Sequence, residues 1–259
     1  MRKSFFIIVL ILLCACNSLP LPTPLPTEKI EFKPSATPSP IPSPPSPTAT
    51  EIPPTVSPVP TTDPNFYRDD FENSLDPSWK WVREDPANWS LIAVPGALQV
   101  NVVGGYVSAH TNTNMLLRPA PTGNFEIETQ MTFSPDNNFQ FAGLLIYESD
   151  SNFIQAGRSY CRTYECVGDG FYMNDYQNGH VVQPDFGQSY KDNKPVLLRL
   201  SRQGNAYTFE ASINGKVWFV IGSHTSDMNP LQVGLVTGQK LKGTVRPAQF
   251  DYFEVRSLP

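Results

Sequence analysis

The sequence predicts an all-β fold for residues 65–259, a sandwich or barrel of antiparallel strands. Three observations carry that prediction. Short runs rich in β-branched and aromatic residues recur along this part of the chain, and none sustains a 3.6-residue apolar period. The breaks between them carry turn chemistry: Pro95-Gly96, Asn178-Gly179, Gly204-Asn205 and Asn214-Gly215. Many short, evenly spaced, turn-bounded strands are the pattern of all-β sandwiches and barrels.

The 64 residues before this region read differently. Arg2 and Lys3 precede an unbroken apolar run from Phe5 to Leu13, too short to span a bilayer as a stable helix and laid out as an export signal. The run ends at Leu13-Cys14-Ala15-Cys16, which resembles the lipobox of bacterial lipoproteins. That resemblance implies removal of residues 1–15 with Cys14, lipidation of Cys16, and a membrane-anchored, extracytoplasmic protein. From Pro20 to Pro64 the chain holds 16 of its 27 prolines, interleaved with Thr and Ser. Such a segment cannot bury enough apolar surface to offset ordering, so residues 17–64 are expected to form a disordered tether. Polyproline stiffness would give it a reach on the order of 100 Å.

Within the expected domain the runs are WSLIAV, ALQVNV, NFEIETQMTF, FAGLLIY, NFIQAG, GFYMNDY, VLLRLSRQ, AYTFEASI, KVWFVIG, LQVGLVTG and FDYFEV. Asn214-Gly215, between AYTFEASI and KVWFVIG, predicts a hairpin with a two-residue type I′ turn, because that turn needs two positive φ values. Cys161 and Cys166 are expected to pair as a disulfide in an exported chain. A thiolate metal site lacks partners, since His110, His180 and His224 stand at no ligand spacing from a cysteine. No phosphate loop, G-x-S-x-G elbow or zinc-protease helix occurs. The net charge of −5 argues against nucleic acid as a partner.

The order of wording in this region carries more. It opens with FYRDDFENSLDPSWKWVREDPANWSL, runs through GALQV, MLLRPAPTGNFEIETQMTF, FQFAGLLIYESDSNFI and LLRLSRQGNAYTFEASINGKVW, and closes with FDYFEV. The ordered set resembles the concanavalin A-like jelly-roll module at the C-terminus of family 43 β-xylosidases and is similar to DUF1349 domains. The resemblance implies two antiparallel sheets packed face to face, one of them concave, with the chain ends near each other. In those xylosidases the catalytic carboxylates belong to a separate propeller domain, so the resemblance argues against hydrolysis by this part of the chain.

FEIETQ, residues 125–130, tests that inference. Alternation puts Phe125, Ile127, Thr129 and Met131 on one face and Glu126 and Glu128 on the other. Residues i and i+2 lie about 6.5–7 Å apart along a strand, against ~5–5.5 Å for a retaining glycosidase pair. Family 16 glucanases carry a third acidic residue in a related signature, which Gln130, Met131 and Thr132 do not supply. Glu126 and Glu128 are therefore the candidates for a hydrolase, for contact with a ligand or, more simply, for a solvated strand face.

Sugar binding asks for aromatic rings to stack on pyranose faces and for amide, guanidinium or carboxylate groups to meet hydroxyls. The stretches FQFAGLLIYESDSNFIQAGRSYC and DGFYMNDYQNG are rich in both, and nominate Gln140, Tyr147, Gln155, Arg158, Tyr172 and Tyr176. FAGLLIY is apolar on both faces, which also suits a central strand with Tyr147 in the core. Trp79, Trp89 and Trp218 are expected in the core, with Trp81 the tryptophan that least demands burial. Asp69, Asp70 and Asp251 are the candidate oxygens for a structural calcium ion and, more simply, aspartates that cap strands and turns; no other cofactor is expected. The sequence thus predicts a lipid-anchored, monomeric carbohydrate-binding module, with a divergent hydrolase and a sugar-free envelope scaffold as rivals.

Overall fold

The computed structural model describes residues 63, 65–163 and 166–259. The leader, Cys16 and all of the expected tether except Asp63 lie outside the described residues. The strands are β1 (Phe66–Asp69), β2 (Lys80–Val82), β3 (Trp89–Ser90), β4 (Leu98–Val102), β5 (Met115–Pro119), β6 (Phe125–Thr132), β7 (Gln140–Ser149) and β8 (Asn152–Cys161). They continue as β9 (Gly168–Gln177), β10 (His180–Ser189), β11 (Val196–Gln203), β12 (Ala206–Ser212), β13 (Phe219–Thr225), β14 (Gln232–Gln239) and β15 (Arg246–Ser257).

Two antiparallel sheets form a concanavalin A-like β-sandwich, as expected. The eight-stranded sheet runs β13-β12-β11-β6-β15-β4-β3, with β1 also paired to β15; the seven-stranded sheet runs β10-β9-β8-β7-β14-β5-β2. β15 is long enough to hold β4 through Arg246–Phe250 and β1 through Phe253–Arg256, both on the edge opposite β6. The two ends of the domain are therefore neighbours.

Alternation explains which residues meet between the sheets. From β6 come Phe125, Ile127 and Met131, from β7 Ala142, Leu144 and Ile146, and from β11 Val196, Leu198 and Leu200. Each fully buried aliphatic side chain contributes about 1.5–3 kcal/mol. Trp79 joins this core, while Trp81 and Trp89 pack against it and on each other at 4.9 Å between ring centroids. Trp218 departs from the core expectation: its ring lies under the Arg199 guanidinium at 3.8 Å.

A second apolar cluster sits on the outer face of the seven-stranded sheet. Phe141, Leu145, Phe153 and Val236 project there, opposite in parity to the core residues of their strands, and Val107 covers them from the loop between β4 and β5. Gly105 pins that loop: it exchanges backbone hydrogen bonds with Gln239, and its φ of +129 leaves a Cβ only 2.7 Å from the Cα of Asn112. The loop covers β7 and β14 and reaches the Phe153 and Tyr176 ends of β8 and β9, leaving a cleft over the rest of β8, β9 and β10.

The tight type I′ turn occurs elsewhere than expected. Asn178 and Gly179 both have positive φ and join β9 to β10 with Gln177 opposite His180. At Asn214-Gly215 only Gly215 has positive φ, and β13 begins at Phe219. There the Asn214 side chain accepts from the Lys216 and Val217 amides, and Ser212 donates to the Val217 carbonyl. A side-chain-capped loop replaces the two-residue turn.

Candidate functional site

The open part of the outer face is a cleft of about 690 Å³, within the range of ligand pockets. Its floor is set by register. Val236, Gly143, Gly157, Tyr172 and Gly187 stand in one row across β14, β7, β8, β9 and β10. Three of the row's five residues are glycines, and the Tyr172 ring lies beside the cleft-lining Gly187, where an added Cβ would sit 3.2 Å from it.

The next row is polar. Gln155 on β8 donates to Asn174 on β9 at 3.3 Å, and Asn174 donates to Asp185 on β10 at 3.1 Å. Tyr172, Asn174 and Tyr176 follow one another at two-residue steps on β9 and line the same cleft. Tyr176 stacks on Phe153, with ring centroids 4.5 Å apart and planes 12° apart. Tyr172 donates its hydroxyl to the Gly168 carbonyl at 2.6 Å. Burial raises both phenols above the ordinary tyrosine range, so both stay neutral at physiological pH. Tyr106, Phe139 and Lys240 form one wall; the Cys161–Cys166 disulfide and Val167 close one end.

Gln155, Tyr172 and Tyr176 are thus brought together. Gln140 and Arg158 are not: both are fully buried on the core side of their strands. Gln140 accepts from the Asp136 and Asn137 amides and donates to Gln239 and the Thr244 carbonyl, stapling two loops. Arg158 pairs with Asp169 at 2.6 Å and donates to the carbonyls of Asp192 and Tyr190. Gln140 has no group left to offer a ligand, and the one unpartnered donor of Arg158, its Nε, is buried on the core side away from the cleft. Tyr147 keeps the outer face but donates to Asp150, a hub also held by Arg83 at 2.8 Å and His110 at 3.0 Å. Burial and the Asp150 charge push the Tyr147 phenol up to about 12.

Glu126 and Glu128 lie on the other sheet, away from the cleft. Glu128 takes Arg199 at 2.8 Å and the Tyr252 hydroxyl at 2.7 Å, and Glu126 stands 3.5 Å from the same arginine. Burial raises the Glu126 pKa against the pull of Arg199. The pair is built into a cross-strand ion network.

The candidate calcium ligands also have other partners. Asp69 accepts from Trp79 Nε1 and the Phe71 amide, Asp70 pairs with Arg68 at 2.7 Å, and Asp251 accepts from Gln130. Among the described residues no group of three or more His, Cys, Asp or Glu side chains is placed to hold a metal ion.

Asn174 and Asp185 were not among the sequence candidates. Asn174 was legible, because it lies midway between Tyr172 and Tyr176 on the same face. Asp185 was not, because HVVQPDFGQS contains Pro184, is mostly exposed and has no clean alternation.

Residues 68–256 match the family described as the β-xylosidase C-terminal concanavalin A-like domain. The chain belongs to that family. Solved structures agree in fold. The GH43 protein BlXynB of Bacillus licheniformis is 22% identical with a TM-score of 0.66, covering 76% of this chain and 40% of that one. The xylan β-1,4-xylosidase of Bacillus halodurans is 22% identical with a TM-score of 0.63, covering 75% and 39%. A functionally unknown protein from Saccharomyces cerevisiae is 14% identical with a TM-score of 0.54, and 98% of it is covered. The chain spans about two fifths of the length of the two Bacillus proteins. No curated protein sequence matches the chain.

Proposed function

We propose that this member of the family is a non-catalytic carbohydrate-binding module, exported and held at the cell envelope by lipid on Cys16, with the sugar taken in the cleft over β8, β9 and β10. One observation carries the reading: Tyr172, Asn174 and Tyr176 line a single cleft in succession, beside Gln155 and Gly187. Rings at both ends of a polar step suit a ligand whose faces are apolar and whose edges carry hydroxyls. The name of the matching family supports a sugar-related role. Anchoring would make proximity the mechanism, raising the local concentration of glycan near neighbouring enzymes.

The test is a glycan array probed with the full chain in detergent, with and without calcium, followed by a reducing-end assay on each glycan retained. Saturable binding that falls about five- to tenfold in Tyr176→Ala, without sugar release, supports the module. Release of reducing ends overturns the non-catalytic reading. A retained protein with no glycan bound returns the function to an envelope scaffold.

A further inference from the structure

Among the described residues, Lys240 and Asp185 are the two charged ones lining the cleft, and they stand on opposite walls. Lys240 follows β14 and Asp185 lies on β10, four strand spacings away across β7, β8 and β9. At about 4.8 Å per spacing that is roughly 19 Å. That strand separation keeps the two from pairing, and no salt bridge joins them.

The Lys240 ammonium is seated by two rings of the same wall, Tyr106 at 5.6 Å and Phe139 at 5.5 Å. Its backbone is held by the bond from its amide to the Phe139 carbonyl. Among the described residues no carboxylate lies within salt-bridge distance of it. Asp185 already accepts from Asn174, whereas among the described residues the ammonium donates no hydrogen bond.

We infer that the cleft takes an acidic oligosaccharide, with a uronate carboxylate placed against Lys240 and the neutral sugars lying toward Asn174 and Tyr176. This rests on the carbohydrate reading above and adds a charge requirement to it. The chain as a whole carries a net charge of −5, so no general field favours an anion, and a preference for acid must come from this wall.

The experiment is titration calorimetry on the full chain with two matched pairs of probes. One pair is a xylo-oligosaccharide with and without a single glucuronate branch; the other is an oligogalacturonate and its methyl ester. The expected result is about three- to fivefold tighter binding of the acidic member. The preference should shrink toward one at about 0.5 M salt, disappear in Lys240→Ala and persist in Lys240→Arg. Equal binding of both members, or a preference that survives Lys240→Ala, overturns the charge assignment and leaves glycan binding standing. Binding of neither member of either pair overturns the assignment; glycan binding itself then stands or falls on the array.

Discussion

Gly143 and Gly157 stand directly opposite each other on β7 and β8, and a Cβ added to Gly157 would lie 2.7 Å from the Cα of Gly143. Two main chains meet with no room for a methyl group, in the row between Val236 and Tyr172. Gly157→Ala is therefore expected to destabilise the domain by on the order of 2 kcal/mol through overpacking against backbone. Urea unfolding of the variant beside the wild type measures it, and an unchanged midpoint would count against the close approach.

Arg158 is a structural cation. Arg158→Met fills a similar volume but strands Asp169, so a loss of about 3 kcal/mol is expected at neutral pH. Burial already raises the Asp169 pKa against the pull of Arg158, and without the arginine it rises further. A carboxyl with a raised folded pKa costs stability above that pKa and nothing once both states are protonated. The deficit should shrink as pH falls toward 4, which denaturation at several pH values will show.

Glu128→Gln separates the two sheets' roles. It weakens the contacts to Arg199 and Tyr252, with an expected loss of about 1–2 kcal/mol. Glycan binding should be unchanged because the residue lies on the sheet opposite the cleft. A variant that folds normally but no longer binds would move the site to the eight-stranded sheet.

His224 is nearly fully buried on β13, and burial lowers its pKa, with Asp175 and Asp185 pulling the other way. Its folded pKa lies below the unfolded value of about 6.5, so the unfolded state binds more protons between the two. The wild type should lose stability from this group as pH falls through 6.5. His224→Gln lacks that loss, and relative to wild type it should gain stability between pH 7.5 and pH 5.5. A constant difference between the two proteins would show that His224 titrates alike folded and unfolded.

Much of this was legible in the sequence. The alternation in FEIETQMT identified the inner and outer faces of β6, and the doubly apolar FAGLLIY became β7, at the centre of its sheet with a cluster on either side. Strand parity also held information about the site. Gln155 and Arg158 are three apart, and Gln140 and Tyr147 seven apart, so no straight strand can present both members of either pair to one face. The structure puts Gln155 and Tyr147 outside and Arg158 and Gln140 inside. β1, β2, β5 and β10 escaped the sequence reading because they are short, polar or interrupted by proline. The wall from Tyr106 to Val107 has no periodicity to announce it, since the contacts that place it are with β14.

The pairing of β1 with β15 makes this domain easy to graft. The Ser257 amide donates to the Asn65 carbonyl at 2.8 Å, so the polypeptide enters and leaves at a single point. Spliced into a surface loop of a carrier protein, residues 65–258 would leave the two sides of that loop almost as close as before. A circular permutant that links these ends and reopens the chain at the capped loop around Asn214 should keep the same sheets.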